Sequence, residues 1–425
     1  MREMKDSGVA WIGAVPSDYR TASVGSLFTI KKDIIGREPE TVLSITQTGI
    51  RPKDLSSNEG QNASSYANYQ IVNVGDFAMN HMDLLTGWID ISKYEGVTSP
   101  DYRVFTLNDK EMPADYFLRV FQYYYTDRVF FGFGQGVATL GRWRLPAINF
   151  KKIDVPVPPV LEQQRIVAAI DEKVGKVDTL IANVQAQIEK LKAYKQSVIT
   201  EVVTKGLDHT VPMKDSGIGW IGEIPESWEV KPMLREIETI VDYRGKTPEK
   251  VAEGTLLVTA RNIKDGRIDY SISREYVKPE EYDEIMHRGK LNIGDVLFTT
   301  EAPLGAVANV DRTDFALAQR IIKFTTKNSL NPYYLKYWML SPIFQQHLKS
   351  YATGSTASGI KASKLCLLQL VHPPRAVQDD IVSALDSKCD QVDRLIAIKQ
   401  AKIEKLEQYK RSLIYEYVTG KREVV

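Results

Sequence analysis

Residues 158–204 have the sequence PPVLEQQRIVAAIDEKVGKVDTLIANVQAQIEKLKAYKQSVITEVVT, and residues 373–419 have the sequence PPRAVQDDIVSALDSKCDQVDRLIAIKQAKIEKLEQYKRSLIYEYVT. The two segments align without a gap, and 26 of their 47 positions are identical. Self-similarity at a long, fixed separation is the signature of an internal duplication. The chain is therefore predicted to consist of two copies of one unit in tandem.

A second pair of matching segments opens each copy. Residues 4–16, MKDSGVAWIGAVP, return as residues 213–225, MKDSGIGWIGEIP, with nine of 13 positions identical. A short Asn-x-Gly-Asp step at residues 73–76 also returns at residues 292–295. The remaining middle parts of the two copies show little similarity. A duplication that keeps its ends but not its middle indicates a shared scaffold that carries two different functional regions.

Each long matching segment is predicted to form one helix. Residues 162–204 contain one glycine and no proline, and they lie between a Pro-Pro pair and Gly206, which favours a helix end. Apolar residues recur every seven positions in two interleaved sets, which is the pattern of a coiled coil. Lys195, Lys399 and Lys410 interrupt this pattern. The residues expected to pair the helices are Ile170, Val174, Val177, Ile181, Val184, Ile188, Leu191, Val198, Leu385, Cys389, Val392, Ile396, Ile403, Leu406 and Leu413.

The two helices are predicted to pair antiparallel, because a folded region links them. A helix about 60 Å long with one apolar stripe requires a partner of matching length. The predicted class is α+β, with two globular α/β regions separated by two long antiparallel coiled-coil helices and related by internal pseudo-twofold symmetry. The predicted segments are residues 1–157, 158–208, 209–372 and 373–425. The alternative is two ordinary core helices in separate domains.

Within the globular regions, apolar periodicity predicts some elements directly. Residues 115–130 and 332–351 are predicted to be equivalent helices, because each has aromatic and apolar residues on one face. Residues 365–368 are predicted to be a strand. The order of strands in a sheet does not follow from these patterns.

Composition limits the classes of function. The chain has 425 residues, a net charge of +1 and two cysteines, Cys366 and Cys389, so a cysteine-based zinc site is excluded. No apolar segment reaches the roughly 18–20 residues that span a bilayer, and no apolar signal core begins the sequence, so the cytoplasm is the expected location. A neutral total excludes a protein that coats DNA by charge alone, but it permits a basic face that binds DNA.

Basic and amide side chains in the two globular regions are the candidate DNA contacts. Arginine can pair with guanine, asparagine and glutamine with adenine, and lysine with phosphates. The polar stretches 132–144 and 353–364 precede the last strand of each copy and are predicted to be equivalent loops. The candidates are Lys31, Lys32, Arg37, Arg51, Lys53, Asn80, His81, Arg103, Gln135, Arg142 and Arg144 in the first region and Arg244, Lys246, Arg261, Asn262, Lys264, Arg267, Arg288, Lys290, Arg320, Lys361 and Lys364 in the second.

Several local motifs resemble catalytic or cofactor sites, but each lacks a required element. The glycine-rich residues 131–136 follow a predicted helix and not a strand, which argues against a nucleotide loop. Residues 245–247, Gly-Lys-Thr, lack the upstream glycine of a phosphate-binding loop. The five histidines are scattered, so no metal cluster or catalytic triad is predicted. The chain is therefore not expected to be an enzyme.

The repeated motifs together resemble one family. The Trp-Ile-Gly-x-Val/Ile-Pro opening, the Gly-Asp step and the Pro-Pro-x-x-x-Gln start of a long helix, all present twice, are similar to those of the specificity subunit of type I restriction-modification enzymes. The resemblance covers nearly the whole chain. The residue before the motif glutamine is not the same in the two copies, since Glu162 in the first is Val377 in the second, which argues against an essential role for the glutamate.

The resemblance implies a non-catalytic subunit that recognises double-stranded DNA for defence against foreign DNA. Each globular region would be a target recognition domain for one half of a bipartite site, and the helices would set the spacer and bind two methyltransferase subunits. S-adenosylmethionine would belong to those subunits. ATP and Mg would belong to two restriction subunits where these join the complex. The rival classes are a coiled-coil scaffold that binds only proteins and a single-chain methyltransferase.

Overall fold

The computed structural model describes residues 2–55, 62–136, 143–243, 248–353 and 359–424. The chain divides into two compact units, one formed by residues 1–185 with 401–425 and the other by residues 186–400. Both divisions fall inside the two long helices, so each unit contains part of both. The mixture of helices and strands confirms the α+β class, while the four predicted segments stay a prediction.

Among its described residues, the first unit contains twelve strands and four short helices before its long helix. The strands are β1 (Met4–Asp6), β2 (Ala14–Pro16), β3 (Arg20–Ser23), β4 (Phe28–Lys31), β5 (Leu43–Thr46), β6 (Gly49–Pro52), β7 (Gln70–Val72), β8 (Phe77–Met79), β9 (Ile89–Ile91), β10 (Gly96–Thr98), β11 (Arg103–Leu107) and β12 (Asp154–Val157). The helices are α1 (Val24–Leu27), α2 (Ala114–Thr126), α3 (Val129–Gly132), α4 (Ala147–Lys151) and the long α5 (Val160–Lys205), whose last part lies in the second unit.

In the part that the structure describes, the second unit adds thirteen strands. They are β13 (Met213–Asp215), β14 (Glu223–Pro225), β15 (Glu229–Pro232), β16 (Ile237–Asp242), β17 (Thr255–Val258), β18 (Ile263–Lys264), β19 (Arg267–Ile268), β20 (Glu275–Val277), β21 (Val296–Thr299), β22 (Val307–Asn309), β23 (Phe315–Leu317), β24 (Ile321–Thr326) and β25 (Gln369–His372). Its helices are α6 (Tyr282–Ile285), α7 (Pro332–Leu340), α8 (Pro342–Ser350) and the long α9 (Arg375–Val418), with 3-10 turns at Met233–Glu236, Ala260–Asn262, Pro279–Glu281 and Ala362–Leu367.

Both units contain the same four-stranded antiparallel sheet. Its order is β4-β11-β8-β9 in the first unit and β16-β24-β21-β22 in the second. The additions differ: the first unit has the pairs β5-β6 and β7-β10, whereas the second has the sheet β20-β17-β23, in which β17 and β23 run parallel. The structure therefore has a common scaffold with different attachments, as the pattern of similarity predicts.

Three expectations about local structure need correction. The predicted helix 115–130 ends at Thr126, and α3 begins at Val129 after Arg128, whose φ of +59° is left-handed. The predicted helix 332–351 is two helices, because Ser341 adopts an extended conformation and its side chain caps α8, which begins with Pro342. The predicted strand 365–368 lies mostly in the 3-10 turn Ala362–Leu367, and the strand follows at β25. An apolar run of four residues does not distinguish a strand from a helical turn.

The long helices pair antiparallel within each unit, which confirms the predicted coiled coil. All fifteen residues predicted to pair them are buried or half-buried. Near the end of α5 the most buried residues are Ile199 and Val203, and Ile199 lies one position beyond the predicted Val198. A straight helix rotates by about 20° for each seven residues relative to an ideal heptad seam. The last turns of α5 therefore turn toward the core of the second unit and pack in it.

The three lysines that interrupt the apolar pattern each reach the partner helix. In the second unit the Lys195 ammonium lies 2.7 Å from the Asp393 carboxylate, and that of Lys399 lies 2.6 Å from the Gln187 amide oxygen. In the first unit the Lys410 ammonium lies 2.6 Å from the carboxylate of Asp178. Lys195 and Lys410 occupy equivalent positions of the two copies, as do their aspartate partners. Polar pairs at seam positions fix the register of a coiled coil. The equivalent Lys–Asp pairs do this once in each unit.

A buried tyrosine in each unit joins the last strand to the end of a long helix. The Tyr116 hydroxyl lies 3.0 Å from the carbonyl oxygens of both Pro156 in β12 and Val418 in α9. The Tyr334 hydroxyl lies 2.9 Å from the carbonyl of Val371 in β25 and 3.2 Å from that of Val203 in α5. Each copy therefore satisfies carbonyls at the end of the other copy's helix, where no intrahelical donor remains.

The glutamine of the repeated Pro-Pro-x-x-x-Gln motif has the same structural role in both copies. The side-chain amides of Gln163 and Gln378 each donate a 2.8 Å hydrogen bond to the carbonyl of the first proline, Pro158 or Pro373. Both glutamines are fully buried. They fix the angle at which the chain enters the long helix, which explains why both copies retain this spacing.

Candidate nucleic-acid interface

The two predicted loops have equivalent bases, one in each unit. In the first unit Gln135 and Arg144 form an antiparallel bridge, and the amide of Leu145 donates 2.9 Å to the carbonyl of His81, just after β8. In the second unit Thr353 and Gly359 form the bridge, and the amide of Ile360 donates 3.0 Å to the carbonyl of Thr300, just after β21. Residues 137–142 and 354–358 lie outside the described residues. Each scaffold sheet therefore holds a hairpin at the same strand end.

Eight of the candidate basic side chains are exposed and form no hydrogen bond or ion pair within the described ranges. A cation of this kind is available to a phosphate, because no acidic neighbour has to be displaced. The exposed amide of Gln135 belongs with them. The eight are Lys32, Arg37, Arg51 and Arg144 in the first unit and Arg261, Lys264, Lys361 and Lys364 in the second. The candidates Arg142, Arg244 and Lys246 lie outside the described residues.

Five other candidates bind groups of the protein itself. In the second unit Lys290 pairs with Asp283 at 2.9 Å, Arg320 pairs with Glu301 at 2.9 Å, and Arg288 donates to the carbonyl of Asp242 at 2.7 Å. Arg267 pairs with Asp390 of α9 at 2.8 Å, so it fastens the β18-β19 hairpin to the long helix. Lys53, which is half-buried, also has a partner. These side chains are less available to DNA than the eight exposed ones.

The repeated Gly-Asp step is a structural turn and not a binding motif. In the first unit the Asp76 carboxylate accepts from the Asn73 amide at 2.9 Å and pairs with Lys31 at 2.6 Å. In the second unit Asp295 accepts from the Asn292 amide at 2.9 Å and pairs with Lys323 at 2.8 Å. Lys31, a predicted DNA contact, is therefore committed to this turn. The preceding glycines have φ values of +89° and +90°, a conformation that favours glycine.

Asn262 was predicted to contact DNA, and its burial contradicts this. Its side chain is fully buried, its oxygen accepts from the Thr259 amide at 2.9 Å, and its nitrogen donates to the carbonyls of Asp269 and Ser273 at 2.9 and 3.0 Å. An amide whose hydrogen bonds are all internal has none left for a base. Asn80 is half-buried, and its oxygen accepts from the Met82 amide at 3.2 Å in a turn.

His81 and Arg103 lie together beneath the first hairpin. Arg103 is 5% exposed, and burial lowers its pKa to about 10, so the guanidinium stays charged at neutral pH. Burial, reinforced by the charges of Arg103 and Arg144, lowers the pKa of His81 to about 3, so its imidazole is neutral at physiological pH. Nδ1 of His81 and one terminal nitrogen of Arg103 have no hydrogen-bond partner within the described ranges.

The depressed pKa of His81 predicts that the first unit loses stability in acid. The unfolded chain binds a proton near pH 6.5 and the folded chain only near 3, so stability is fully present above about 6.5 and declines as the pH falls toward 3. In His81→Gln the melting temperature of this unit should depend less on pH across that window. Calorimetry of both proteins as a function of pH measures this, and parallel curves would contradict the assignment.

No group of three or more His, Cys, Asp or Glu side chains in the described ranges could hold a metal ion. No helix in this part of the chain is long and apolar enough to span a membrane.

Proteins with similar sequences are named specificity subunits of type I restriction enzymes. The family described as "Type I restriction modification DNA specificity domain" matches residues 244–408. The type I restriction enzyme MjaVIII specificity subunit of Methanocaldococcus jannaschii is 26% identical over 280 residues, which cover 64% of this chain and 63% of that protein. The putative MjaX specificity subunit of the same organism is 22% identical over 96% of this chain and 95% of its own.

A solved structure shows the same fold. A chain from a structural study of complex assembly and conformational transition of the type I R-M system superimposes with a TM-score of 0.67 and 15% identity, covering 95% of this chain and 98% of that one. Each relative is named a specificity subunit, which agrees with the prediction that the chain is not an enzyme. By its duplicated motifs, its scaffold and these relatives, the chain is similar to the specificity subunits of type I restriction-modification enzymes.

Proposed function

We propose that this specificity subunit reads a bipartite, asymmetric DNA site, with one half-site bound by each globular region. The observation that carries the proposal is the equivalent placement of two dissimilar hairpins, each held after the third strand of the same sheet. The same four-stranded sheet with a different loop in each unit is consistent with two globular regions that approach DNA in the same way but recognise different bases. The free basic side chains of each unit would supply phosphate contacts around them.

We infer that the two long helices set the spacer between the half-sites. The equivalent pairs Lys195–Asp393 and Lys410–Asp178 support this, because they hold one register along both parts of the coiled coil. A fixed register gives the length of the helix pair a defined value. Two different recognition regions on such a support would recognise a split DNA site without internal symmetry.

The same helices offer two equivalent surfaces for partner subunits. Leu180 and Leu395 occupy equivalent positions in the two copies, as do Tyr194 and Tyr409, and all four are almost half exposed. Each precedes a seam residue by one position, so within each unit the two side chains lie on the same flank of the helix pair. The Lys388 ammonium of α9, on that flank, lies 5.7 Å from the Tyr194 ring centroid. Repeated exposed apolar side chains are suited to bind two copies of one partner.

In the proposed assembly these partners are two methyltransferase subunits that carry S-adenosylmethionine. Restriction subunits, where they join, would bring ATP and Mg, and the complex would act on DNA in the cytoplasm. The chain itself would supply recognition and positions for its partners.

Loss of one exposed tyrosine should remove one partner. Replacing Tyr194 by Ser is expected to weaken binding at that site about ten-fold, because buried aromatic residues dominate interface energies. Native mass spectrometry should then show one bound methyltransferase subunit, and none in the Tyr194→Ser, Tyr409→Ser double variant. Ile398, which is exposed but is Asn183 in the first copy, provides the matched control. Equal losses in Ile398→Ser would contradict the assigned surface.

A long-read methylome of cells that co-express this chain with its methyltransferase subunit tests the proposed function. The expected result is a split, asymmetric motif methylated at adenine and absent from cells that lack this chain. A complex that assembles without producing any new motif would favour a protein scaffold that does not read DNA.

A further inference from the structure

A cavity of about 260 Å³ lies at the base of the first hairpin. Its rim carries the side chains of Arg144 and Gln135, which have no hydrogen-bond or ion-pair partner within the described ranges, and the backbones of these two residues form the bridge at the base of the hairpin. The exposed carboxylate of Asp101 is also at the rim, and the half-buried His81 lines the wall. The cavity thus has one cation and one anion at its mouth, and a neutral imidazole inside.

The guanidinium charge of Arg103, which lies behind the cavity wall, is not neutralised. Arg103 donates a 2.8 Å hydrogen bond to the carbonyl of Leu145, a residue of the wall, and its guanidinium lies 4.7 Å from the Phe150 ring centroid. No carboxylate within the described ranges forms an ion pair with it. Burial of an unpaired charge is costly, because the low dielectric of the interior cannot replace hydration. A site of this kind gains by receiving an anion.

The second copy shows that the scaffold does not require this cation. Arg103 in β11 pairs with Met79 in β8, and the equivalent pairing in the second unit is Ile322 with Phe298. Ile322 is 1% exposed in the core of its unit. The same sheet therefore folds with an apolar residue at this position, so the buried arginine is particular to the first region.

We propose that this cavity is a DNA phosphate site, in which Arg144 and Gln135 contact the phosphate and Arg103 positions Arg144 and supplies charge behind it. The inference rests on the proposed DNA-binding function and assigns one contact of the first region. A base edge is neutral and is reached by extended side chains, whereas a phosphate is drawn to unneutralised charge. The Arg103 bond to Leu145 fixes the backbone next to Arg144, so the buried residue acts through the exposed one.

Salt dependence of DNA binding tests the direct contact. The complex of the full chain with its methyltransferase subunit is titrated with a labelled duplex that contains its methylated motif and with one of unrelated sequence. Arg144→Gln should weaken binding to both equally and reduce the slope of log affinity against log salt by about one. The methylated motif should stay unchanged. A relaxed motif in one half-site would overturn the phosphate assignment in favour of base reading.

Three further variants test the charge and its positioning role. Asp101→Asn should strengthen binding to both duplexes, because it removes the anion at the rim. Arg103→Met should weaken binding and raise the pKa of His81, measured by NMR, while Arg103→Lys should restore both values toward those of the wild type. A lower melting temperature with unchanged affinity in Arg103→Met would mean that the residue is only structural, and the proposal would fail.

The outcomes separate this inference from the proposed function. Arg422, which pairs with Glu416 at 3.1 Å, is the control, and Arg422→Gln should leave affinity and salt slope unchanged. A wild-type complex that binds no duplex would overturn both. A wild-type complex that binds its motif, with an unaltered salt slope in Arg144→Gln, would overturn only the phosphate site.

Discussion

Replacement of Asp295 by alanine is expected to lower the free energy of unfolding of the second unit by about 3–5 kcal/mol. The Asp295 carboxylate accepts hydrogen bonds from the Lys323 ammonium at 2.8 Å and from the Thr325 hydroxyl at 2.7 Å. Both charged side chains are 3% exposed, so the variant leaves an ammonium buried with only neutral partners, among them the carbonyl of Lys290 at 2.9 Å. Water cannot reach Lys323 without opening the sheet.

The first copy provides a matched control for this prediction. Asp76 occupies the equivalent turn, but the side chain of its partner Lys31 is 17% exposed and is able to turn toward solvent. Asp76→Ala should therefore cost only about 1–2 kcal/mol. The double variant Asp295→Leu, Lys323→Met should recover most of the loss, since an apolar pair replaces the buried ion pair. Calorimetry of the four proteins measures these differences, and equal losses in the two single variants would contradict the role of burial.

Removing one seven-residue repeat from both long helices should shorten the spacer of the DNA site. Deletion of residues 183–189 together with 398–404 removes equivalent segments and leaves the pairs Lys195–Asp393 and Lys410–Asp178 in place. Seven residues correspond to about 10 Å of helix, which equals about three base pairs. The methylated motif should keep both half-sites with a shorter spacer. Methylation should also be slower, because three base pairs rotate the groove by about 100°.

Two controls distinguish a spacer effect from general damage. Deletion of two residues from each helix rotates the apolar seam by about 200°, away from its partner, and should prevent assembly of the complex. Deletion of residues 183–189 alone leaves the helices unequal and should have a similar effect. A shortened protein that methylates altered half-sites with an unchanged spacer would contradict the proposed role of the helices.

The scaffold could be predicted from the sequence because its signals are repeated and periodic. The heptad spacing predicts the two helices, which begin and end within three residues of the predicted limits. The deviation at Ile199 and Val203 arises because globular packing replaces the coiled-coil seam there. Those contacts join residues that are distant in sequence, so local periodicity does not reveal them.

The candidate interface could be predicted only in part, for the same reason. Equivalent loop positions predict the paired hairpins, but residue type alone does not distinguish an exposed Arg144 from a buried Asn262. Lys31 and Arg267 have partners that depend on tertiary contacts, Asp76 in a turn and Asp390 on a helix. Lys323 is absent from the candidates, and its ion pair with Asp295 depends on the register of β24 with β21, in which Lys323 lies opposite Leu297.

The tyrosine contact at the end of α9 has a consequence for how the protein is made. The core of the first unit includes Leu413, Tyr417 and Val418, and Tyr116 reaches the carbonyl of Val418 across 302 positions of the chain. The first region therefore leaves the ribosome without part of its core and completes folding only after residues 413–418 are translated. A stop codon shortly before these residues would expose the first region to proteolysis and leave the second, whose tyrosine binds Val203, largely intact.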